Sequence, residues 1–480
     1  MSEQPRFTRF RPTRAGIAGI ILIAVSALWV LARPFDYDPA RLPQSASCME
    51  DLKDTLDRAG HLEDMAWRGC LVVTDTARHF ARYATSQSNP STAVRSCIEC
   101  HDGATAPTFA SMWTYFPRYN VAKQRVEDFA QAIQDEIVTR YNGTIPVRSD
   151  VAVSTLYVYA FFKASQAGLT FAQDTVDQTP ISELQLQTLR TTDSCRRVFA
   201  HKGFPRGPNS PYIVEGCNLV TDTHNHVYTA ANLWRTDMIC ENCHLDAGTR
   251  PFAGPLAMGA VMLPIHMTPL NKPIRFDRRI LMCFARSLNW FDMGRDAPFL
   301  TYVRMYANWL AQHDGLQIGR IYEGRGIPML YDTDGAGSSI LAGEKAYQKH
   351  CIRCHGKNAW GGMGPVYNGK EPPPIAGPNS FTALATTASR NRLAGFILNN
   401  MPPGASHDSP ILSEQQALDV AIYIESLGRP ADFVKTNRLS QFGNYLWLNA
   451  IYHGARLLRD PITSASPIVK ATDTTHAYIE

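Results

Sequence analysis

Charge is scarce in this 480-residue sequence: 47 Lys and Arg against 43 Asp and Glu leave a net +4, and charged residues make up only 19% of the chain. That balance supplies no field to gather a nucleic-acid backbone, so nucleic acid is not an expected partner. Long apolar runs are scarce too, and beyond Ala32 no stretch of about 20 apolar residues occurs. Disorder-prone composition is also missing, because 45% of the residues are hydrophobic. A chain of this length exceeds one core and divides into several domains.

The exception among the apolar runs is N-terminal. Arg6, Arg9, Arg11 and Arg14 precede an uncharged run from Ala15 to Ala32. It is longer than the roughly 7–15 apolar residues of a secretory signal, and no clean small-x-small cleavage site follows. Residues 1–33 therefore read as a basic cytoplasmic stub and an uncleaved single-pass anchor. The arginines stay in the cytoplasm, which places residues from about 34 onward in the periplasm and the protein in the inner membrane.

Six of the 11 cysteines fall in three Cys-x-x-Cys-His runs: Cys97, Cys100 and His101; Cys240, Cys243 and His244; Cys351, Cys354 and His355. That pattern attaches haem c, with one thiol for each porphyrin vinyl and the adjacent histidine reaching the iron. The cofactor expectation is three covalently bound haem c groups. Four further cysteines reveal a duplication. Cys48 and Cys70 are separated by 22 residues, as are Cys195 and Cys217, and Thr74-Asp75-Thr76 with His79 matches Thr221-Asp222-Thr223 with His226 at identical offsets. In an oxidising compartment each pair most simply closes a disulfide, with free buried thiols as the alternative. One cysteine is left over. Cys283 stands on a helical pattern with Arg279 and Arg286 at i−4 and i+3, a setting that suits either a buried structural thiol or a functional thiolate.

The expected fold is mainly α, with three cytochrome c-type haem domains in tandem behind one N-terminal transmembrane helix. The domains are 45–175, 190–318 and 339–430, followed by a tail over 431–480 whose Tyr445–Leu458 stretch is amphipathic. The third has its own grammar. Gly343 and Tyr347 lie on a helix before the haem motif, a Gly/Pro-rich loop follows, and Met401 stands 46 residues beyond His355 before two prolines, placed to supply a thioether ligand. Ser413 and Gln416 form a capping box for a helix with an apolar stripe at Val420, Ile424 and Leu427, ended by Gly428.

From Gly216 to about Gly428 the chain resembles the dihaem thiosulfate dehydrogenases, also called tetrathionate reductases, and more remotely the haem subunit of the sulfur-oxidising thiosulfate multi-enzyme system. The resemblance is carried by Cys240 through Gly248, by Arg279, Ile280, Cys283, Arg286, Ser287 and Asn289, by Pro373 through Phe381, and by Phe396, Asn400, Met401 and Pro402. It implies that Cys283 is the distal ligand of an active-site haem and Met401 that of an electron-exit haem, with Arg279 and Ser287 lining an anion pocket. The implied reaction joins two thiosulfates into tetrathionate, or the reverse. The electrons pass to a soluble cytochrome or terminal oxidase. Where the family can carry a ligating lysine beside the methionine, this chain has Asn400, and Asn289 is followed by Trp290 rather than glycine. In the first repeat Glu136 aligns with Cys283, so that haem is expected to transfer electrons only, with Met112 or His79 as its distal ligand. The competing functions are a trihaem electron-transfer subunit of a larger periplasmic dehydrogenase or respiratory complex, and a sulfur carrier using Cys283.

Overall fold

The computed structural model describes residues 61–79, 96–101, 106–141, 151–171, 191–226, 238–267, 272–288, 298–332, 337–362 and 369–429, with Cys48, Gly103, Thr236, Gly364 and Val366. The expected anchor over 1–33, the amphipathic tail stretch and the Asn289-Trp290 step lie outside the described residues. Among the described residues the chain is mainly helical, and no helix is long and apolar enough to cross a membrane.

The first repeat consists of α1 (His61–Thr74), α2 (Phe109–Tyr115), the hairpin β1 (Arg118–Asn120) and β2 (Arg125–Glu127), α3 (Phe129–Tyr141) and α4 (Val151–Gln166). The second consists of α5 (Asp193–Lys202), α6 (Ser210–Thr221), α7 (Leu256–Met262), β3 (Ile265–Met267), β4 (Lys272–Ile274), α8 (Phe276–Ser287) and α9 (Pro298–His313). From α2 to α4 every element starts 147 residues before its counterpart in α7 to α9. The duplication first visible around the cysteines thus runs on through both units. A disulfide joins Cys195 to Cys217, tying α5 to α6, and Cys48 and Cys70 are also disulfide-bonded.

The third unit holds α10 (Ile340–His350), α11 (Arg390–Asn400) and α12 (Glu414–Ser426). The capping box closes as expected: Ser413 Oγ accepts from Gln416 N at 3.2 Å, and Gln416 Oε1 accepts from Ser413 N at 3.0 Å. Tyr347, Leu393, Ile397, Leu418, Val420 and Ile424 form its core.

All three units share one device. The helix before each Cys-x-x-Cys-His run packs on a later helix, α1 on α4, α6 on α9 and α10 on α12. At the crossings Gly69 faces the Thr155 carbonyl and Tyr159, Gly216 faces the Tyr302 carbonyl and Tyr306, and Gly343 faces the Asp419 carbonyl and Tyr423. A Cβ at any of these positions would run into the facing carbonyl oxygen. Glycine lets the helix axes close, and the tyrosine four residues on covers the gap.

The two repeats meet through equivalent positions. Thr170 pairs with Gln317, and the Arg304 guanidinium lies 5.4 Å from the Tyr157 ring centre. Contacts between positions one repeat apart are the signature of a twofold relation. Tyr119 stacks on Tyr212 at 5.2 Å beside the seam, and Asn209 Oδ1 accepts from Tyr119 N at 2.6 Å.

Candidate haem and thiolate site

Each Cys-x-x-Cys-His run makes a tight turn, of 3-10 type at Cys97–Glu99 and Cys240–Asn242 and a helical turn at Ile352–His355. The repeated Thr-Asp-Thr motif straps two of these turns down: Thr76 Oγ1 accepts from Cys97 N at 2.9 Å, and Thr223 Oγ1 from Cys240 N at 3.1 Å. All three histidines are held alike. His101 Nδ1 lies 2.7 Å from the Pro107 oxygen, His244 Nδ1 2.5 Å from that of Gly254, and His355 Nδ1 2.9 Å from that of Pro373. A carbonyl oxygen only accepts, so Nδ1 donates and Nε2 is the nitrogen turned away from that bond and available to ligate iron. Burial also pushes the His355 pKa down, keeping the ring in its ligating neutral form. With two thiols on each turn, these donor sets fit haem c.

The second turn is buttressed most. Glu241, 6% exposed, accepts from Ser194 Oγ at 3.1 Å and from Ala247 N at 3.0 Å, while Lys370 Nζ from the third unit stands 3.7 Å away. Tyr306 OH donates to the Ala247 carbonyl at 2.9 Å. Gly254, at φ +65°, offers its carbonyl to His244 from a turn in which a side chain would crowd the imidazole.

Helix α8 brings Cys283 to this turn. Burial opposes ionisation of the Cys283 thiol, but hydrogen bonding with the His244 side chain and the charges of Arg279 and Arg286 outweigh it and hold its pKa below the usual thiol range. The two attachment cysteines behave oppositely, since burial lifts Cys240 to about 12 and Cys243 to about 11. Of the three sulfurs gathered here, only Cys283 is set up as a thiolate. Arg279 reaches across to the third unit, donating from Nη2 to Thr386 Oγ1 at 3.0 Å. Ser287 ends α8, half-buried.

The third unit walls the second site, which sequence reasoning missed. Thr382 donates from N and Oγ1 to the Arg286 carbonyl at 3.1 and 2.7 Å, and Thr387 hydrogen-bonds Cys243. Arg429, just past Gly428, lies 4.0 Å over the Phe381 ring and feels the Cys243 sulfur. Burial lowers its pKa to about 10, and its Nη2 has no partner. It is a third cation at the site with no sequence signal.

Met401 caps α11 and packs with Cys351 against the third unit's core. In the first unit, Tyr141 OH stands 3.9 Å from Cys97 Sγ and Glu136 pairs with Arg140 at 2.9 Å. His79 ends a short helical turn after α1, and Met112 lies on α2.

Residues 340–428 match the cytochrome c family. A thiosulfate dehydrogenase of Thiomonas intermedia is 35% identical over 45% of this chain and 66% of its own length. One from Allochromatium vinosum is 32% identical over 47% of this chain and 81% of its own. The chain belongs to the thiosulfate dehydrogenase family. It is a c-type cytochrome of that oxidoreductase type, although the match covers just under two thirds of the Thiomonas protein. A solved thiosulfate dehydrogenase (TsdBA) from Marichromatium purpuratum, 23% identical, covers 76% of this chain and 72% of its own at a TM-score of 0.44.

Proposed function

We propose that the protein is a periplasm-facing, inner-membrane-anchored trihaem cytochrome that oxidises thiosulfate to tetrathionate beside Cys283. The observation that carries this reading is the convergence of Cys283, His244, Arg279 and Arg286 on one turn. The relatives from Thiomonas intermedia and Allochromatium vinosum are thiosulfate dehydrogenases by name, and this site has the charges such an anion needs. Cys97 with Cys100, Cys240 with Cys243, and Cys351 with Cys354 would hold three haems, and His101, His244 and His355 would ligate their irons. Cys283 and Met401 would add second ligands at the second and third. Haem supplies acceptance of electrons one at a time and their passage onward.

The protein's own residues do the rest. Arg279 and Arg286, with Arg429 behind Cys243, hold the sulfonate end of the substrate by charge-assisted hydrogen bonds, and Ser287 adds a hydroxyl. The Cys283 thiolate and the terminal sulfur of one thiosulfate form an S–S bond and release two electrons, leaving a cysteinyl S-thiosulfonate. The terminal sulfur of a second thiosulfate then attacks the outer sulfur of that adduct. The bond to Cys283 breaks, the thiolate is restored and tetrathionate leaves, with charge conserved in both steps. Thiolate ligation lowers a haem potential and thioether ligation raises it, so haems held by Cys283 and Met401 would favour electron flow from the second site to the third and on to a soluble cytochrome or terminal oxidase.

Steady-state turnover of the purified protein with thiosulfate and an artificial electron acceptor tests the proposal. Tetrathionate should appear as one mole for every two electrons transferred. Reduction of the haems by a respiratory donor without any turnover of sulfur anions would replace it with the electron-transfer subunit.

A further inference from the structure

The constant offset of 147 residues from α2 through α4 places Glu136 of α3 at the position of Cys283 on α8, and Arg140 at that of Ser287. The surroundings agree. Just as Cys283 acts electrostatically on Cys240 and Cys243, Glu136 acts on Cys97 and Tyr141. The position that Cys283 would present to an iron in the second unit is thus filled in the first by a carboxylate, and that carboxylate is already paired with Arg140 at 2.9 Å.

Neither sequence candidate for the missing ligand lies on this side. Met112 shares a face of α2 with Phe109, three residues earlier, and the Phe109 ring lies 5.4 Å from that of His101. Helix α2 also follows directly on Pro107, whose carbonyl holds His101. Both observations put Met112 on the histidine side. His79 ends the short turn whose Thr76 straps Cys97, on the side of the attachment cysteines.

Resting on the three-haem reading, we propose that the first haem has no strong protein ligand among the described residues opposite His101 and that a small diatomic ligand binds there, beside Glu136 and Arg140. A carboxylate is a hard partner, poorly matched to ferrous haem iron, so the reduced state leaves the position open.

The test uses the full-length protein, with carbon monoxide as the probe. Intact mass first counts the haems. In ferric protein about one third of the haem should be high-spin, and ferrous protein should take up carbon monoxide at that haem. Glu136→Met should turn the fraction low-spin and abolish the uptake, and Glu136→Cys should add a second thiolate-ligated signal to that of Cys283. The Glu136 side chain is 41% exposed, so both variants should fold, with the haem count by mass as the check. Three haems that are all low-spin in the wild type would overturn the inference alone, as would variants whose spectra match the wild type. A mass showing two haems would instead remove the three-haem reading beneath it.

Discussion

Replacing Cys283 by serine is the sharpest perturbation of the proposed chemistry. An ordinary thiol with a pKa near 8.5 is about 3% thiolate at pH 7. The surroundings of Cys283 raise its thiolate fraction, because His244, Arg279 and Arg286 together outweigh the effect of its burial. A serine hydroxyl in the same place stays protonated at any pH the protein survives, and it ligates iron more weakly. Removing the sulfur therefore removes the bond-forming atom rather than weakening it. Turnover of thiosulfate should fall by at least about a thousandfold, equivalent to about 4 kcal/mol on the barrier. The fold should persist, since the change deletes no buried volume beyond the difference between sulfur and oxygen. The assay pairs steady-state turnover with intact mass and electron paramagnetic resonance. Haem content should be unchanged and the thiolate-ligated low-spin signal should vanish. A variant that keeps its haems and more than a tenth of wild-type turnover would refute the role given to this sulfur.

Met401→Ala should leave the third haem without its thioether ligand, seen as loss of the methionine-to-iron band in the visible spectrum with the other two haems unchanged. His407→Ala should remove a ring stack on Phe252 at 3.9 Å and a hydrogen bond to Asn399, lowering stability by about 1–2 kcal/mol in a denaturant titration. In the first unit, burial raises the Asp135 carboxyl pKa, but hydrogen bonds from Lys123 and Arg125 override it and hold it below the usual range. A lowered folded-state pKa gives stability that is present above the unfolded value and lost as pH falls through the folded one. Asp135→Asn should therefore cost about 1 kcal/mol or less at pH 7, and the difference from wild type should begin to shrink near roughly pH 4 and vanish only as pH falls through the lower folded value.

The parts of the fold legible in the sequence are those written in short-range code. The three Cys-x-x-Cys-His turns, the Ser413 capping box and the duplicated cysteine spacing each need only a few neighbouring residues to be recognised. The Thr-Asp-Thr motif was visible as a repeat, but its work, strapping the haem turns through Thr76 and Thr223, depends on contacts about 20 residues away. The wall of the thiolate site was not legible at all. Arg279 meets Thr386 across 107 residues, and Arg429 approaches Cys243 from the far end of the last helix. Polar contacts of that range have no periodicity and follow only once the second and third units are docked.

That docking bears on why a family position able to carry a ligating lysine is here Asn400. Its Nδ2 donates to the Phe252 carbonyl of the second unit at 3.3 Å and to that of Phe396 at 3.1 Å, and the residue is 1% exposed. Arg250 Nη2 donates to the Ala405 carbonyl at 2.7 Å, and His407 lies on the Phe252 ring. The loop that holds Met401 is thereby clamped to the turn between His244 and Gly254, whose carbonyl orients His244. A residue exchanging with Met401 would have to leave that clamp and strand buried polar groups, at about 1–3 kcal/mol each. Asn400 therefore favours one fixed ligand at the exit site, and it makes the same loop a rigid strut between the two haem turns. In the proposed reading, a fixed thioether on the exit side and a thiolate on the substrate side would keep the potential difference in one sense, favouring oxidation of the sulfur anion over its reduction.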